Sequence, residues 1–319
     1  MPFTLSHPLY AAPLRKVVPA LSMTGLVLGS MAPDMEYFVA MQSFRSVGHS
    51  VAGFFVLGLP LCMAIAFIYH RLIVPTLPVF MPSLGGVDRF IHDLSTSKAS
   101  TNKSITRISM FILSCFIGFL THIFVDSWTH RYGWFAERIP FMQQHIGPYG
   151  VYYVLQLSLS LLGAVIPAIW LMWRWISWHR HQSRTSPKLD YSLSDKRTVW
   201  GSMFIFGTLL LLGKVIAAPD PLFLNMWVVA PFTAALFGLF VASMLFQAKQ
   251  NGRLRSTVNM LVCMLILIEG STLLRQFYGV ELWSWIVYTW LLSLILAASV
   301  IVAAGQKKIT ALIINDVNN

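Results

Sequence analysis

The sequence predicts an all-α protein: a polytopic membrane helix bundle of about seven transmembrane helices, with a short N-terminal re-entrant or interfacial helix. Three observations carry this. The 319 residues are 56% hydrophobic and only 11% charged, where a soluble domain carries about 25%, so polar material is too scarce to cover a water-exposed surface. Seven apolar runs approach or exceed the roughly 20 residues that a helix needs to cross a hydrocarbon core. Basic residues gather in short stretches between those runs, as orientation-setting charges do.

The N-terminus, Met1-Pro2-Phe3-Thr4-Leu5-Ser6-His7, has no basic leading region and is broken by Pro8 and Pro13, so it does not read as a cleavable signal peptide. Val17–Met31 is apolar but short and is followed by Pro33, which suits a partly buried or re-entrant helix. The expected spans are Val51–Tyr69, Ile108–Val125, Val151–Trp173, Val199–Ala217, Leu224–Phe246, Val258–Leu274 and Leu282–Ala304. The connectors Arg71–Thr106 and Arg174–Thr198 are polar, basic and rich in Ser and Thr, and read as solvated loops. Cys62, Cys115 and Cys263 all lie inside apolar runs, with no CxxC pair or disulfide framework.

The net charge of +11 raises the question of nucleic acid, but the charges are scattered between spans rather than gathered in one stripe with aromatics, so no nucleic-acid partner is expected. Sixteen of the 23 Lys and Arg residues fall on the side reached after the first span, including Arg89, Arg107, Arg180, Lys196 and Arg253. Cytoplasmic loops attract such residues. The expectation is a multi-pass protein of the cytoplasmic (inner) membrane, N-terminus outside and C-terminus inside.

Residues 1–160 hold the polar constellation and residues 161–319 add further transmembrane helices to the same membrane domain. Thr121-His122-Ile123-Phe124-Val125-Asp126-Ser127-Trp128-Thr129-His130 closes the second span, and on a continuing helix His122, Asp126 and His130 share one face. An imidazole and a carboxylate one turn apart can ligate one divalent ion. A single such spacing is weak evidence. Its company strengthens it: His7, Asp34 and His49 precede the first span, so they and the end of the second span fall on the same membrane side.

Each residue also has a plainer reading. His7 can be a turn residue before Pro8, Asp34 can cap the helix through Met35–Val39, and His49 can mark the membrane boundary. His130 and His145 can be surface residues of a long loop. His122 and Asp126 adjoin hydrocarbon, where ionisable side chains are costly and usually functional. Glu269, well inside the sixth run, needs a partner such as Arg275 or Lys214 or a water-filled cavity, or else it protonates.

At these residues the chain resembles an uncharacterised bacterial multi-pass family, the domain of unknown function 4184. The resemblance rests on the opening Met1–His7, on Gly29-Ser30-Met31-Ala32-Pro33-Asp34-Met35-Glu36-Tyr37-Phe38, on Gly48-His49-Ser50 and on Thr121–His130. More distantly, the order His…Asp…His…HisxxxAsp is similar to YdjM-type membrane-bound metal-dependent hydrolases and to zinc-dependent phospholipases C. That resemblance implies the metal ligands His7, Asp34, His49, His122, Asp126 and His130, a divalent metal (zinc first), and a spare carboxylate, Asp34 or Glu36, as general base. The further HisxxxGlu of the phospholipases is missing, because Tyr149 stands four residues after His145.

The resemblance thus implies metal-dependent hydrolysis of a membrane-associated ester or phosphoester at the extracytoplasmic interface, with membrane lipids as neighbours and a lipid or small ester as substrate. A transporter or channel, and a non-catalytic scaffold or sensor, are the competing readings.

Overall fold

Lipid offers a peptide group no hydrogen-bond partner, so an apolar run must satisfy its backbone within itself, and an α-helix does so. The computed structural model describes residues 4–96, 104–181, 186, 188–218, 222, 224–279 and 281–305. Among them, seven helices are long and apolar enough to cross a membrane: Val51–Phe80, Arg107–Arg138, Val151–His181, Leu193–Ala217, Leu224–Gln250, Leu254–Leu274 and Leu282–Ala304. The protein is a multi-pass helical membrane protein.

The Val17–Met31 run is split. A helix ends at Val17, and a second, Met23–Met31, has nine residues. At about 1.5 Å rise per residue it is far too short to cross a core of about 30 Å.

The connector expected as a loop over Arg71–Thr106 is largely helical. The first span continues through Tyr69–Ile73 and Val74–Phe80, and Val87–Thr96 forms a further helix. Prolines did not stop the first span because wide π-helical turns at Phe54–Gly58 and Tyr69–Ile73 precede Pro60 and Pro75 and absorb their missing N–H groups. In Val87–Thr96 the apolar residues Val87, Phe90, Ile91 and Leu94 make one face, and Phe90 is buried with its ring 5.7 Å from that of Trp178. The other connector is also shortened, with helix up to His181 and again from Leu193. Lys98, Lys103, Arg184, Lys307 and Lys308, counted above among the orienting charges, lie outside the described residues.

The chain forms two compact units. The first comprises Met1–Met35, Val47–Cys62 and Asn102–Arg174, and the second Glu36–Ser46, Met63–Thr101 and Trp175–Asn319. In the first, helix Met23–Met31 lies backbone to backbone against helix Ser104–Thr129. A Cβ on Gly29 would fall 2.0 Å from the Cys115 carbonyl oxygen, and one on Gly118 would fall 2.4 Å from that of Leu26. Gly25 and Gly29 are spaced as a membrane GxxxG contact, which lets helices approach closely. Ser22 caps the short helix by accepting from the Gly25 N–H at 3.2 Å, and its own N–H donates to the Ser114 hydroxyl at 2.8 Å.

In the second unit, Leu193–Ala217 and Leu224–Gln250 meet through Gly207 and Gly238; a Cβ on Gly238 would lie 2.2 Å from the Met203 carbonyl oxygen. Leu72, Met244, Met264 and Val300 form its apolar centre.

Candidate metal centre

Four pieces of the first unit converge. His7 stands just before helix Pro8–Ala11 with helical φ and no capping bond, and its ring is buried. Asp34 closes the 3-10 turn Ala32–Asp34. His49 precedes Ser50, which caps the first span by accepting from the Gly53 N–H at 3.0 Å. The segment before it is pressed onto that span: a Cβ on Gly53 would lie 1.8 Å from the Val47 carbonyl oxygen. His122 and Asp126 come from helix Ser104–Thr129, one turn apart.

Four donor atoms face one another. His122 Nε2 lies 3.3 Å from Asp126 Oδ2 and 3.8 Å from Asp34 Oδ1, while His49 Nε2 lies 3.4 Å from Asp34 Oδ1 and 3.8 Å from Asp126 Oδ2. Charge-assisted N–H···O⁻ hydrogen bonds run about 2.7–2.9 Å, so these separations are too long for good ones. Ligands at about 2.0–2.1 Å from a tetrahedral zinc ion stand about 3.3 Å apart, which is close to the shorter observed edges. Two overlapping triads, His7–Asp34–His122 and His49–His122–Asp126, each keep their ligating atoms within 4.8 Å of one another.

The tautomer of His122 follows from its other nitrogen. Nδ1 lies 2.7 Å from the Ser30 carbonyl oxygen, which can only accept, so Nδ1 carries a proton and Nε2 is the nitrogen turned toward the carboxylates. This carbonyl–imidazole arrangement is the usual support behind a metal-bound histidine. On the other side, the Thr4 hydroxyl donates to Asp34 Oδ2 at 2.7 Å and leaves Oδ1 facing His49 and His122.

Several buried atoms lack a hydrogen-bond partner: both ring nitrogens of His7, Nε2 of His122 and Oδ1 of Asp126. The His7 and His122 rings are stacked, with centroids 3.9 Å apart. Among the described residues, the ion-pair partners of Asp34 and Asp126 are histidines alone. Asp34 and Asp126 converge on a cluster of imidazoles, and this mixed nitrogen and carboxylate set is one that a dication can bind. The donor set therefore fits a divalent ion.

The surroundings of His7 and Asp34 set their protonation. Burial, aided by the neighbouring His122, lowers the His7 pKa to about 4, so the ring is neutral near pH 7. Burial alone would push Asp34 up, but His49, His122 and the Thr4 hydroxyl together outweigh it and hold the carboxyl at about 2.

The remaining expected residues fall as follows. His130 lies at the rim with its side chain 38% exposed, Nδ1 3.7 Å from Asp126 Oδ1 and 3.1 Å from the Asp126 carbonyl oxygen, to which it donates. It belongs to neither triad. Glu36 is buried in the second unit, where its carboxylate accepts from the Trp285 indole N–H at 2.9 Å, from the Ser46 N–H at 3.2 Å and from the Ser46 hydroxyl. His145 is exposed on a two-residue strand of a small hairpin. Glu269 lines a small cavity of the second unit with Lys214, Thr272 and Tyr288, and Lys214 donates to the Ala40 carbonyl and to Gln42. The Arg275 side chain lies outside the described residues. Sequence reasoning assigned no role to Thr4 or to the Ser30 carbonyl; a hydroxyl and a peptide oxygen are too common to stand out without coordinates.

The family described as domain of unknown function DUF4184 matches residues 1–303, nearly the whole chain. The chain belongs to that family. Neither the curated proteins nor the solved structures hold a match. In this DUF4184 member, then, the site rests on its own geometry.

Proposed function

We propose that the protein is a metal-dependent hydrolase of a membrane-associated ester, a phosphoester ahead of others, with zinc as its ion. One observation carries the reading: His49, His122, Asp34 and Asp126 present nitrogen and oxygen atoms 3.3–3.8 Å apart, in a pocket where His122 Nε2 has no hydrogen-bond partner. The ester class comes from the resemblance to YdjM-type hydrolases and zinc-dependent phospholipases C.

A zinc ion held there would supply Lewis acidity, polarising an ester oxygen and activating water near neutral pH. The chain's residues do the rest. Ser30 and Thr4 fix His122 and Asp34 in ligating orientation. Asp34 commits Oδ2 to Thr4, and Glu36 commits its carboxylate to Ser46 and Trp285. The proton-accepting role therefore falls to Asp126, whose buried Oδ1 has no hydrogen-bond partner and lies 3.7 Å from both His7 and His130.

The bias of basic loops supports a site at the extracytoplasmic boundary of the cytoplasmic membrane, N-terminus outside and C-terminus inside. There it can reach lipid headgroups without extracting the lipid. Reporter fusions after Gln144 and Ser186 test that placement; a cytoplasmic Gln144 overturns it.

The decisive experiment is metal analysis of the full-length, detergent-purified protein. Bound zinc in the wild type and its loss in His122→Ala and Asp126→Ala are expected. A metal-free wild type overturns the reading. A zinc-loaded wild type that cleaves no phosphodiester or carboxylic ester leaves a metal-binding scaffold in its place.

A further inference from the structure

Helix Ser104–Thr129 ends in a tight turn, in which the Gly133 N–H donates to the His130 carbonyl at 2.8 Å. The chain folds back so closely that a Cβ on Gly133 would lie 2.4 Å from the Ser127 carbonyl oxygen, and helix Trp134–Arg138 follows. This reversal joins four rings into one contact series. Phe124 and Trp128, one turn apart, have ring centroids 6.4 Å apart. Trp128 stacks on Phe135 at 4.3 Å, and Phe135 and Trp134 meet edge to face at 4.6 Å. Phe124 also meets Phe135 directly, at 5.7 Å. The series ends in a charge. The Arg138 guanidinium lies 4.4 Å from the centroid of the Trp134 ring, and its Nη1 donates to the Trp134 carbonyl oxygen at 3.1 Å.

Ring contacts explain how the turn holds, but not why its two ends stay open. Phe124 and Trp134 are each more than half exposed, and Arg138 is exposed as well. Phe124 belongs to a membrane span, so lipid chains cover it. Arg138 comes after helix Ser104–Thr129 has ended and before the next span begins at Val151, which is the level of the headgroups. The series therefore runs from hydrocarbon to headgroup along one continuous surface. Among the described residues Arg138 has no ion-pair partner. The connector from Arg131 to Gly150 carries two arginines, Arg131 and Arg138, against one acid, Glu137, a balance that suits an anion. A guanidinium held flat on a ring is preorganised to take a phosphate through two parallel hydrogen bonds.

We propose that this surface binds an anionic phospholipid, its phosphate on Arg138 and an acyl chain along Trp134, Phe135 and Phe124. None of these residues is a metal donor, and the inference does not rest on the hydrolase reading.

The test uses the full-length protein in detergent, titrated with dioleoyl phosphatidylglycerol or dioleoyl phosphatidylcholine and read by native mass spectrometry. The wild type is expected to take phosphatidylglycerol about 10-fold more tightly than phosphatidylcholine. Arg138→Gln should lose that preference, its Kd for phosphatidylglycerol rising about 10-fold or more, the effect of losing a hydrogen-bonded charge. Phe124→Ala reads the acyl-chain half independently: both lipids should weaken about 3- to 10-fold while the preference stays. Both positions are exposed, so both variants should melt near the wild type. Arg131→Gln is the control, since Arg131 lies over Tyr132, outside the series, and it should bind both lipids as the wild type does.

A wild type that binds the two lipids equally overturns the proposal. Arg138→Gln or Phe124→Ala binding as tightly as the wild type overturns it too. So does an equal loss in Arg131→Gln, which would mean a diffuse basic surface rather than a site.

Discussion

His122 Nε2 lies 3.3 Å from Asp126 Oδ2, one helical turn away, while the other ring nitrogen of His122 donates to the Ser30 carbonyl at 2.7 Å. The helix supplies the spacing of the pair, and the packed turn ending in Met31 supplies its tautomer. Both are needed before Nε2 faces the carboxylate.

Thr4→Val removes the hydroxyl that orients Asp34 without touching a ligand. Zinc affinity is expected to fall about 10- to 100-fold, as for other supporting hydrogen bonds, with the stoichiometry at saturation unchanged. Competition with a chelator of known affinity measures it. An unchanged affinity would show that the Thr4 contact does not position Asp34.

Gly29→Val places side-chain atoms where even a Cβ would lie 2.0 Å from the Cys115 carbonyl oxygen. Overpacking of this kind costs about 1–3 kcal/mol or more, and here it also moves Ser30 off His122, so lower thermal stability and lost metal are expected together. Gly270 is the control, with nothing within 4 Å of an added Cβ. Gly270→Ala should be neutral, or stabilising by up to about 1 kcal/mol through helix propensity. Thermal unfolding in detergent compares the two.

Acid should destabilise the metal-free protein in two steps. The folded pKa of His7 is lowered from 6.5 to about 4, so the unfolded chain binds the extra proton between those values. Its stabilising effect is complete above about pH 6.5 and is lost as the pH falls toward 4, a change on the order of 3 kcal/mol. Asp34, lowered from 3.8 to about 2, adds a further loss below pH 4 in the same direction. Thermal melts of chelator-treated protein across this range should show the slope, and His7→Phe should flatten it between pH 6.5 and 4.

Glu36→Gln separates a structural carboxylate from a catalytic one. Its oxygens accept from Ser46 and Trp285, so replacement should cost stability, about 1–3 kcal/mol for a disturbed buried network. Metal content and any ester turnover should stay near wild type. Turnover lost with metal and stability intact would return the general-base role to Glu36.

The helical spans were legible because each is a local pattern of apolar length. The helix Val87–Thr96 was missed: its charged residues made the segment read as loop, although Val87, Phe90, Ile91 and Leu94 make one apolar face. The run-on of the first span past Tyr69 was hidden by Pro75 and Pro78, which usually break helices; the π-helical turn at Tyr69–Ile73 is what accommodates Pro75.

Within the site, His122 and Asp126 stood out because two ionisable groups one turn apart beside hydrocarbon need a reason. His7 and His49 had equally good plain readings. Only their burial and their distances to Asp126 and Asp34 distinguish them.

By itself, the sequence determined a multi-pass helical membrane protein, because lipid obliges each apolar run to close its own backbone hydrogen bonds, and that requirement is met residue by residue along the chain. The tertiary structure alone decided which imidazole meets which carboxylate. Ser30 and His122 are 92 residues apart, and they touch because Gly29 and Gly118 let two helices approach at backbone distance. Close approach depends on both partners at once, so neither segment encodes it alone.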